Sequence, residues 1–322
     1  MYAALIASSV MLAFSATPLR LSNGTPKVYP VVRQPTPEAY FVFQWADMFR
    51  PATFPSTFQR YTLFVCAASM SQSDVAQMEF SLPDGIKLAY GDAQNLEVAN
   101  SRSGTFYDSF EAAFATAFGT DTTCCVRNLT TGSCVRMDQI AGASDTHPSW
   151  IPFQASADVF VEFHRSVTLA QNNRWDGLYL DDCTATYPAW RQDILQDILD
   201  ASQTFDIDGD NVADTVQDAV DQWATWRPYL TAQLREMMGE TRVFVANSGG
   251  TLSDSCLNGI TIEGIGHTVT KSEASASFQA QRAVGHSPFY GVGWVTTATT
   301  DAIPTRQLTE EIPGVYYGVV SE

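Results

Sequence analysis

The feature that most constrains the fold is a series of eight short apolar runs separated by stretches with helical spacing. Each run is rich in β-branched and aromatic residues, which is typical of strands buried on both faces of a parallel sheet. The runs are Tyr40–Gln44, Tyr61–Ala67, Ile86–Tyr90, Gly177–Asp181, Arg242–Asn247, Gly259–Glu263, Phe289–Trp294 and Val315–Val320. The stretches between several of them repeat apolar residues at the spacing of amphipathic helices. Strands that alternate with helices predict an α/β fold built on a parallel sheet.

Eight such units predict a (β/α)8 TIM barrel, a fold of about 250 residues. The chain has 322 residues, so we expect a single barrel over residues 38–322, with insertions at 120–150 and 203–216. The sequence ends directly after the eighth run, and the barrel is therefore expected to lack its closing C-terminal helix. The long connection from Tyr90 to Gly177 leaves an open doubly wound sheet as the alternative.

Residues 1–37 form a lead-in to the barrel, with an apolar segment followed by a Pro-rich one. The apolar stretch Ala3–Ala16 is shorter than the roughly 20 residues that a membrane-spanning helix needs. It fits the apolar part of a signal peptide, although the usual basic residues are missing before it. An ordered apolar N-terminus is the alternative.

Cysteines and glycosylation sequons also bear on location. The six cysteines include no CxxC pair, which argues against a structural zinc site. Cys125 and Cys134 flank a polar stretch and are expected to close a surface loop with a disulfide. Sequons for N-glycosylation begin at Asn23 and Asn128. Together with the N-terminal segment, these features predict an extracellular or cell-surface protein.

The charge balance limits the partners of the chain. It carries 35 acidic and 18 basic residues, a formal net charge of −17. Such a surface repels phosphate backbones and anionic membranes, which argues against nucleic acid as a partner. Lysine and arginine are also nearly absent from the predicted strand ends, and phosphate chemistry needs cations or a Gly-rich loop. A carbohydrate is the expected partner.

In a parallel barrel, functional residues collect at the C-terminal ends of the strands. Here these ends carry carboxylates, an amide and aromatic rings, a set that suits acid–base chemistry on a neutral sugar. The residues are Trp45, Asp47, Asp92, Asp181, Asp182, Asn247, Glu263, Trp294 and Tyr316, with His267 in the loop after the sixth run. We expect Asp181 and Glu263 to be catalytic and the others to contact substrate. Asp47, Asp92 and Asn247 fit turns or caps equally well.

The most informative segment is Trp175–Cys183, with the sequence WDGLYLDDC. Because side chains alternate along a strand, Asp181 is expected to face the barrel mouth and Asp182 to point away. The segment resembles the fourth strand of TIM-barrel glycoside hydrolases of the endo-α-1,4-polygalactosaminidase-like group. His147–Trp150 and Val245–Gly249 are also similar to that group. The resemblance implies a barrel that hydrolyses glycosidic bonds.

The Leu-Asp-Asp-Cys ending is similar to the Tyr-Asp-Asn-Cys of α-galactosidase-type enzymes, whose aspartate is the nucleophile. This resemblance implies that Asp181 is the nucleophile and that Glu263, at the end of the sixth run, is the acid/base. Repulsion between the two is expected to keep Glu263 protonated. An ion pair with arginine, or a cap on the loop before Gly264, is the alternative for Glu263. Chitinase-like barrels differ, because Tyr179 and Cys183 stand where their motif has carboxylates.

An acidic loop after the fourth run resembles a calcium-binding loop. Asp206, Asp208, Asp210 and Asp214 provide oxygen at loop positions one, three, five and nine. Gln217 replaces the glutamate that closes an EF-hand site. A structural calcium or sodium ion that braces this insertion is one expectation, and an Asp-rich turn with a helix cap is the other.

Two functions follow from these features. The first is a glycoside hydrolase that acts on an oligo- or polysaccharide with two carboxylates and needs no catalytic cofactor. The second is a non-catalytic carbohydrate-binding or structural surface protein, part of a larger assembly, on the same scaffold. Carboxyl groups about 5–10 Å apart in an open mouth favour the enzyme.

Overall fold

The computed structural model describes residues 38–42, 61–67, 72–81, 83–93, 126–133, 135, 154–169, 174–248, 253–266, 268–294 and 302–320. Its strands are β1 (Glu38–Val42), β2 (Tyr61–Ala67), β3 (Ile86–Asp92), β4 (Arg127–Asn128), β5 (Gly177–Asp181), β6 (Phe205–Asp206), β7 (Val243–Asn247), β8 (Gly259–Glu263), β9 (Gly291–Trp294) and β10 (Val315–Val320). Each of the eight predicted runs overlaps one strand of the barrel. The predicted ends shift by up to two residues, mainly at β1, β3 and β9.

Eight parallel strands form a closed barrel in the order β1-β2-β3-β5-β7-β8-β9-β10, and β10 pairs with β1. The α/β barrel is confirmed, and the open-sheet alternative is wrong because the two terminal strands hydrogen bond to each other. The helices are α1 (Gln72–Ser81), α2 (Gln154–Phe163), α3 (Ala189–Asp200), α4 (Val216–Met238), α5 (Lys271–Val284) and α6 (Ala302–Glu311). A π-helical turn, His164–Leu169, extends α2.

The alternation of strands and helices is not regular around the barrel. Between β7 and β8, the described residues 248 and 253–258 contain turns and no helix. A buried polar network occupies this connection instead. Asp254 accepts hydrogen bonds from Arg227 and Thr231 of α4, at 2.9 and 2.8 Å. Arg235 of the same helix donates to the Asn258 side chain at 2.7 Å. These bonds attach the connection to α4, the helix that precedes β7.

The start of β5 explains the first half of the WDGLYLDDC motif. The carboxylate of Asp176 accepts a hydrogen bond from the backbone N–H of Lys87 at 2.8 Å and lies 3.5 Å from its ammonium. Both side chains are buried, so each charge is stabilised by the opposite charge of its partner. Gly177 is required because a Cβ atom there would lie 1.6 Å from the carbonyl oxygen of Val243. The motif therefore fixes β5 between its two neighbours.

The barrel interior is filled by apolar side chains from alternate strand positions. They include Leu63, Val65, Leu88, Tyr179, Val245, Val292 and Tyr316. Tyr316 is 0% exposed, and its ring centroid lies 6.1 Å from that of Tyr290. The sequence predicted that Tyr316 contacts the substrate. In the structure it is a core residue with no ring face open to a substrate.

The two predicted insertions pair with each other. β4 and β6 form a two-stranded antiparallel sheet in which Arg127 faces Asp206 and Asn128 faces Phe205. Asn128, the first residue of the second sequon, is buried, and its side-chain amide donates to Gln203 at 2.6 Å. The folded protein therefore does not present this nitrogen for glycosylation.

The other features from which an extracellular location was predicted lie partly outside the described residues. Residues 1–37 and the Cys125–Cys134 pair lie outside the described residues. The described cysteines, Cys66, Cys183 and Cys256, are free thiols. In the described part of the chain, no helix has the length and apolar character needed to cross a membrane.

Candidate active site

Three polar side chains lie at the C-terminal ends of three neighbouring strands. Asp181, Asn247 and Glu263 are the last residues of β5, β7 and β8. Each comes two positions after a fully buried residue of its strand, and side chains two apart share a face. All three therefore project at the same end of the barrel, as the sequence predicted.

One amide group joins the two carboxylates. The side-chain nitrogen of Asn247 donates to Oδ1 of Asp181 and to Oε1 of Glu263, each at 2.9 Å. The two acceptor oxygens therefore lie at most about 5.8 Å apart, which is twice the length of one such bond. Since β7 runs between β5 and β8 in the sheet, the strand order places Asn247 between its partners.

Asp181 receives two further hydrogen bonds. The backbone N–H of Asp182 donates to Oδ1 at 2.9 Å, and the hydroxyl of Tyr90 donates to Oδ2 at 2.6 Å. With Asn247, the carboxylate has three donors, which stabilise its negative charge. Tyr90 lies on β3, the strand next to β5. The sequence alone predicted no role for this tyrosine.

Glu263 has a different environment from Asp181. It is exposed at the barrel mouth, and its one hydrogen bond among the described residues comes from Asn247. Desolvation by the rim raises the pKa of Glu263 above its ordinary value, and the charge of Asp181 raises it further. The bond from Asn247 opposes both effects. No ion pair joins Glu263 to an arginine in the described residues, so the structure gives that alternative no support.

Asp182 does not follow the predicted alternation. Its φ of 51° lies in the left-handed region, so the strand geometry ends at Asp181 and parity does not fix the direction of the next side chain. Desolvation, then the charge of Asp181, raise the pKa of Asp182 to about 7, while Arg191 lowers it and Glu263 adds a smaller increase. The predicted direction of the Asp182 side chain therefore stays a prediction, while its charge interacts with both carboxylates.

The remaining predicted contacts are only partly described. Trp45, Asp47 and His267 lie outside the described residues. The backbone of Asp92 pairs with that of Asp181, and the backbone of Trp294 pairs with that of Glu263. Both positions therefore lie on the same rim as the carboxylates, as predicted.

Three of the four predicted calcium ligands lie close together. Carboxylate oxygens of Asp206, Asp208 and Asp210 are all within 4.8 Å of one another. Asp214 does not belong to this cluster, and its Oδ2 accepts a hydrogen bond from the backbone N–H of Ile207 at 2.7 Å. Oxygen donors of this kind suit calcium. The structure supports three of the ligands by position, and calcium binding stays a prediction.

A guanidinium group already contacts the acidic loop. Arg127 of β4 lies 3.1 Å from Oδ2 of Asp206, and it also donates to the side chain of Asn211. Asp206 is buried and accepts from the backbone N–H groups of Asp208, Gly209 and Asn211 as well. An ion that binds Asp206 has to share it with Arg127.

We expect Arg127→Ala to lower the free energy of unfolding by about 1–3 kcal/mol, because it leaves the buried Asp206 charge without its partner. Thermal melts with and without millimolar calcium measure the effect. If the loop binds calcium, the ion restores part of the lost Tm, since a ligand specific for the native state stabilises it. An unchanged Tm in the variant without calcium contradicts the proposed role of Arg127.

No protein-family model and no curated protein sequence matches the chain. Solved structures give a distant likeness. An uncharacterized protein from Listeria monocytogenes EGD-e matches with a TM-score of 0.48 and 11% identity, over 91% of this chain and 29% of that one. The same protein is also known in complex with glucose, magnesium and calcium. A cycloalternan-degrading enzyme from Trueperella pyogenes, solved with a covalent intermediate, matches with a TM-score of 0.48 and 9% identity.

This chain spans less than half the length of either protein, 29% of the first and 42% of the second. A likeness of this degree does not assign an activity to this chain. The chemistry of the barrel mouth has to come from its own residues.

Proposed function

We propose that the protein is a glycoside hydrolase that cleaves an oligo- or polysaccharide by double displacement. The observation that carries this proposal is the single Asn247 amide that hydrogen bonds both carboxylates. In retaining glycosidases the two carboxyl groups are about 5–5.5 Å apart, and inverting enzymes need a wider gap for a water molecule. An upper limit of about 5.8 Å between the bonded oxygens favours the retaining geometry.

The environments of the two carboxylates assign their roles. Asp181 has three hydrogen-bond donors and acts as the charged nucleophile. Glu263 has a raised pKa, so it stays protonated to higher pH and acts as the general acid. In the first step, Glu263 gives its proton to the glycosidic oxygen as Asp181 bonds to the anomeric carbon. The product of this step is an ester between Asp181 and the sugar. In the second step, a water molecule attacks the anomeric carbon, Glu263 takes a proton from it, and the ester bond to Asp181 breaks.

The electrostatics of the mouth favour an uncharged sugar over an anionic one. Asp181, Asp182 and Glu263 place three carboxyl groups near one another, and the whole chain carries a net charge of −17. An anionic sugar approaching this rim meets repulsion from the charged nucleophile Asp181 and from the net negative charge of the chain. A polysaccharide substrate also agrees with the secreted or cell-surface location that the N-terminal segment predicts.

Trapping of the covalent intermediate tests the proposal. The protein is incubated with a panel of 2-deoxy-2-fluoroglycosides that carry good leaving groups, and its intact mass is measured. We expect one sugar to add a single fluoroglycosyl mass, and peptide mapping to place it on Asp181. Saturable binding of an oligosaccharide with neither adduct nor turnover supports the non-catalytic binding protein instead. An adduct on Glu263 or Asp182 contradicts the assignment of roles.

A further inference from the structure

The hydroxyl of Tyr90 makes the shortest of the contacts to Asp181. Its oxygen lies 2.6 Å from Oδ2, which is within the usual range for a hydroxyl donating to a carboxylate. The ring is partly buried, and it stacks on Tyr179 with centroids 6.0 Å apart and an interplanar angle of 20°. Tyr179 is fully buried in the barrel interior. Packing against the core therefore fixes the position of the ring that carries the hydroxyl.

The two oxygens of Asp181 differ in the hydrogen bonds they accept. Oδ1 accepts from Asn247 and from the backbone N–H of Asp182, and each carboxylate oxygen has about two lone-pair sites. These two donors occupy Oδ1. Oδ2 accepts one bond, from Tyr90, among the contacts of the described residues. Oδ2 is therefore the oxygen with a lone pair left for a new bond to carbon.

We infer that Tyr90 is a positioning residue that fixes Oδ2 of Asp181 as the attacking oxygen. This inference rests on the proposed function. As Oδ2 bonds to the anomeric carbon, the glycosidic C–O bond breaks and Glu263 protonates the departing oxygen. When water later attacks that carbon, the bond to Oδ2 breaks and Glu263 takes the water proton. Tyr90 keeps its own proton and stabilises the charge on Asp181 before the first step and after the second.

Tyr90→Phe tests this inference, because phenylalanine keeps the ring that stacks on Tyr179 and removes only the hydroxyl. We expect kcat/KM to fall about 10- to 100-fold, as for the loss of one hydrogen bond to a charged group. The acidic limb of the pH profile should move upward, because the ionised nucleophile loses a hydrogen-bond donor. If the substitution only destabilised the fold, it would lower Tm and leave the acidic limb of the pH profile unchanged.

Tyr290→Phe is the matched control. Tyr290 is also a buried tyrosine of the barrel interior, but it directly precedes β9 and so lies at the other end of the barrel. We expect this variant to keep the activity and the pH profile of the wild type.

A carbon-13 NMR titration of the Asp181 carboxyl carbon needs no substrate. Its midpoint should move to higher pH in Tyr90→Phe and stay unchanged in Tyr290→Phe. If Asp181→Asn is inactive and Tyr90→Phe has the kinetics of the wild type, the proposed role of Tyr90 is wrong. The proposed glycosidase activity is then unaffected. An unmoved NMR midpoint overturns the contact itself. A moved midpoint in a protein that forms no adduct and turns over no glycoside overturns the glycosidase, and with it the role of Tyr90 in attack.

Discussion

Asp181→Asn should abolish turnover, with kcat/KM lower by about 10⁴-fold or more, because the attacking carboxylate is lost. The fold should be retained. Asparagine has nearly the same shape, and its oxygen can still accept from Asn247 and the backbone of Asp182. Its NH2 group then faces Tyr90, whose hydroxyl can turn to accept a hydrogen bond. Steady-state kinetics and thermal melts measure the two effects separately.

Asp182→Asn is the neighbouring control for this experiment. Asp182 donates to the nucleophile through its backbone N–H, and its side-chain charge interacts with Asp181 and Glu263. We expect the variant to retain activity within about tenfold and to change the pH profile near pH 7, where Asp182 titrates. An inactive Asp182→Asn beside an active Asp181→Asn shows that the nucleophile is misassigned.

Local sequence patterns were sufficient to predict the barrel and the ends of its strands to within two residues. Runs such as Gly177–Asp181 and Gly259–Glu263 coincide with β5 and β8, because strands buried on both faces need continuous apolar sequence. Once the strands form a parallel barrel, their last residues meet at one rim. The proximity of Asp181, Asn247 and Glu263 is a consequence of that topology and could be predicted from the strand ends.

Features that depend on contacts between distant segments could not be predicted in this way. Tyr90 looks like an ordinary strand aromatic, and only the pairing of β3 with β5 brings it to Asp181, which is 91 positions away. Arg127 meets the acidic loop because two insertions pair across 79 positions. The alternation of side chains cannot fix the direction of Asp182, because a residue in the left-handed region ends the strand geometry there.

Glu263→Gln should produce a loss that depends on the leaving group. Substrates with poor leaving groups need a proton on the departing oxygen, and for these we expect kcat/KM to fall by about 10²–10⁴-fold. Activated aryl glycosides need little protonation, so their first step should be nearly unaffected. The second step then becomes slow, because no base is left to deprotonate the water. Rates measured across a series of aryl leaving groups give this difference directly.

Two further measurements separate a lost acid/base from a damaged site. Azide needs no general base, so it should restore turnover of activated substrates by Glu263→Gln and give a glycosyl azide. Because the pKa of Glu263 is raised, the wild type should lose activity only at a pH above the ordinary range of a glutamic acid. The pKa of Asp182 is also raised, so this basic limb belongs to both groups, and Asp182→Asn is needed to isolate the part due to Glu263. A uniform loss for all leaving groups without rescue by azide means that Glu263 binds or positions the sugar, and the acid/base then has to be another residue of the rim.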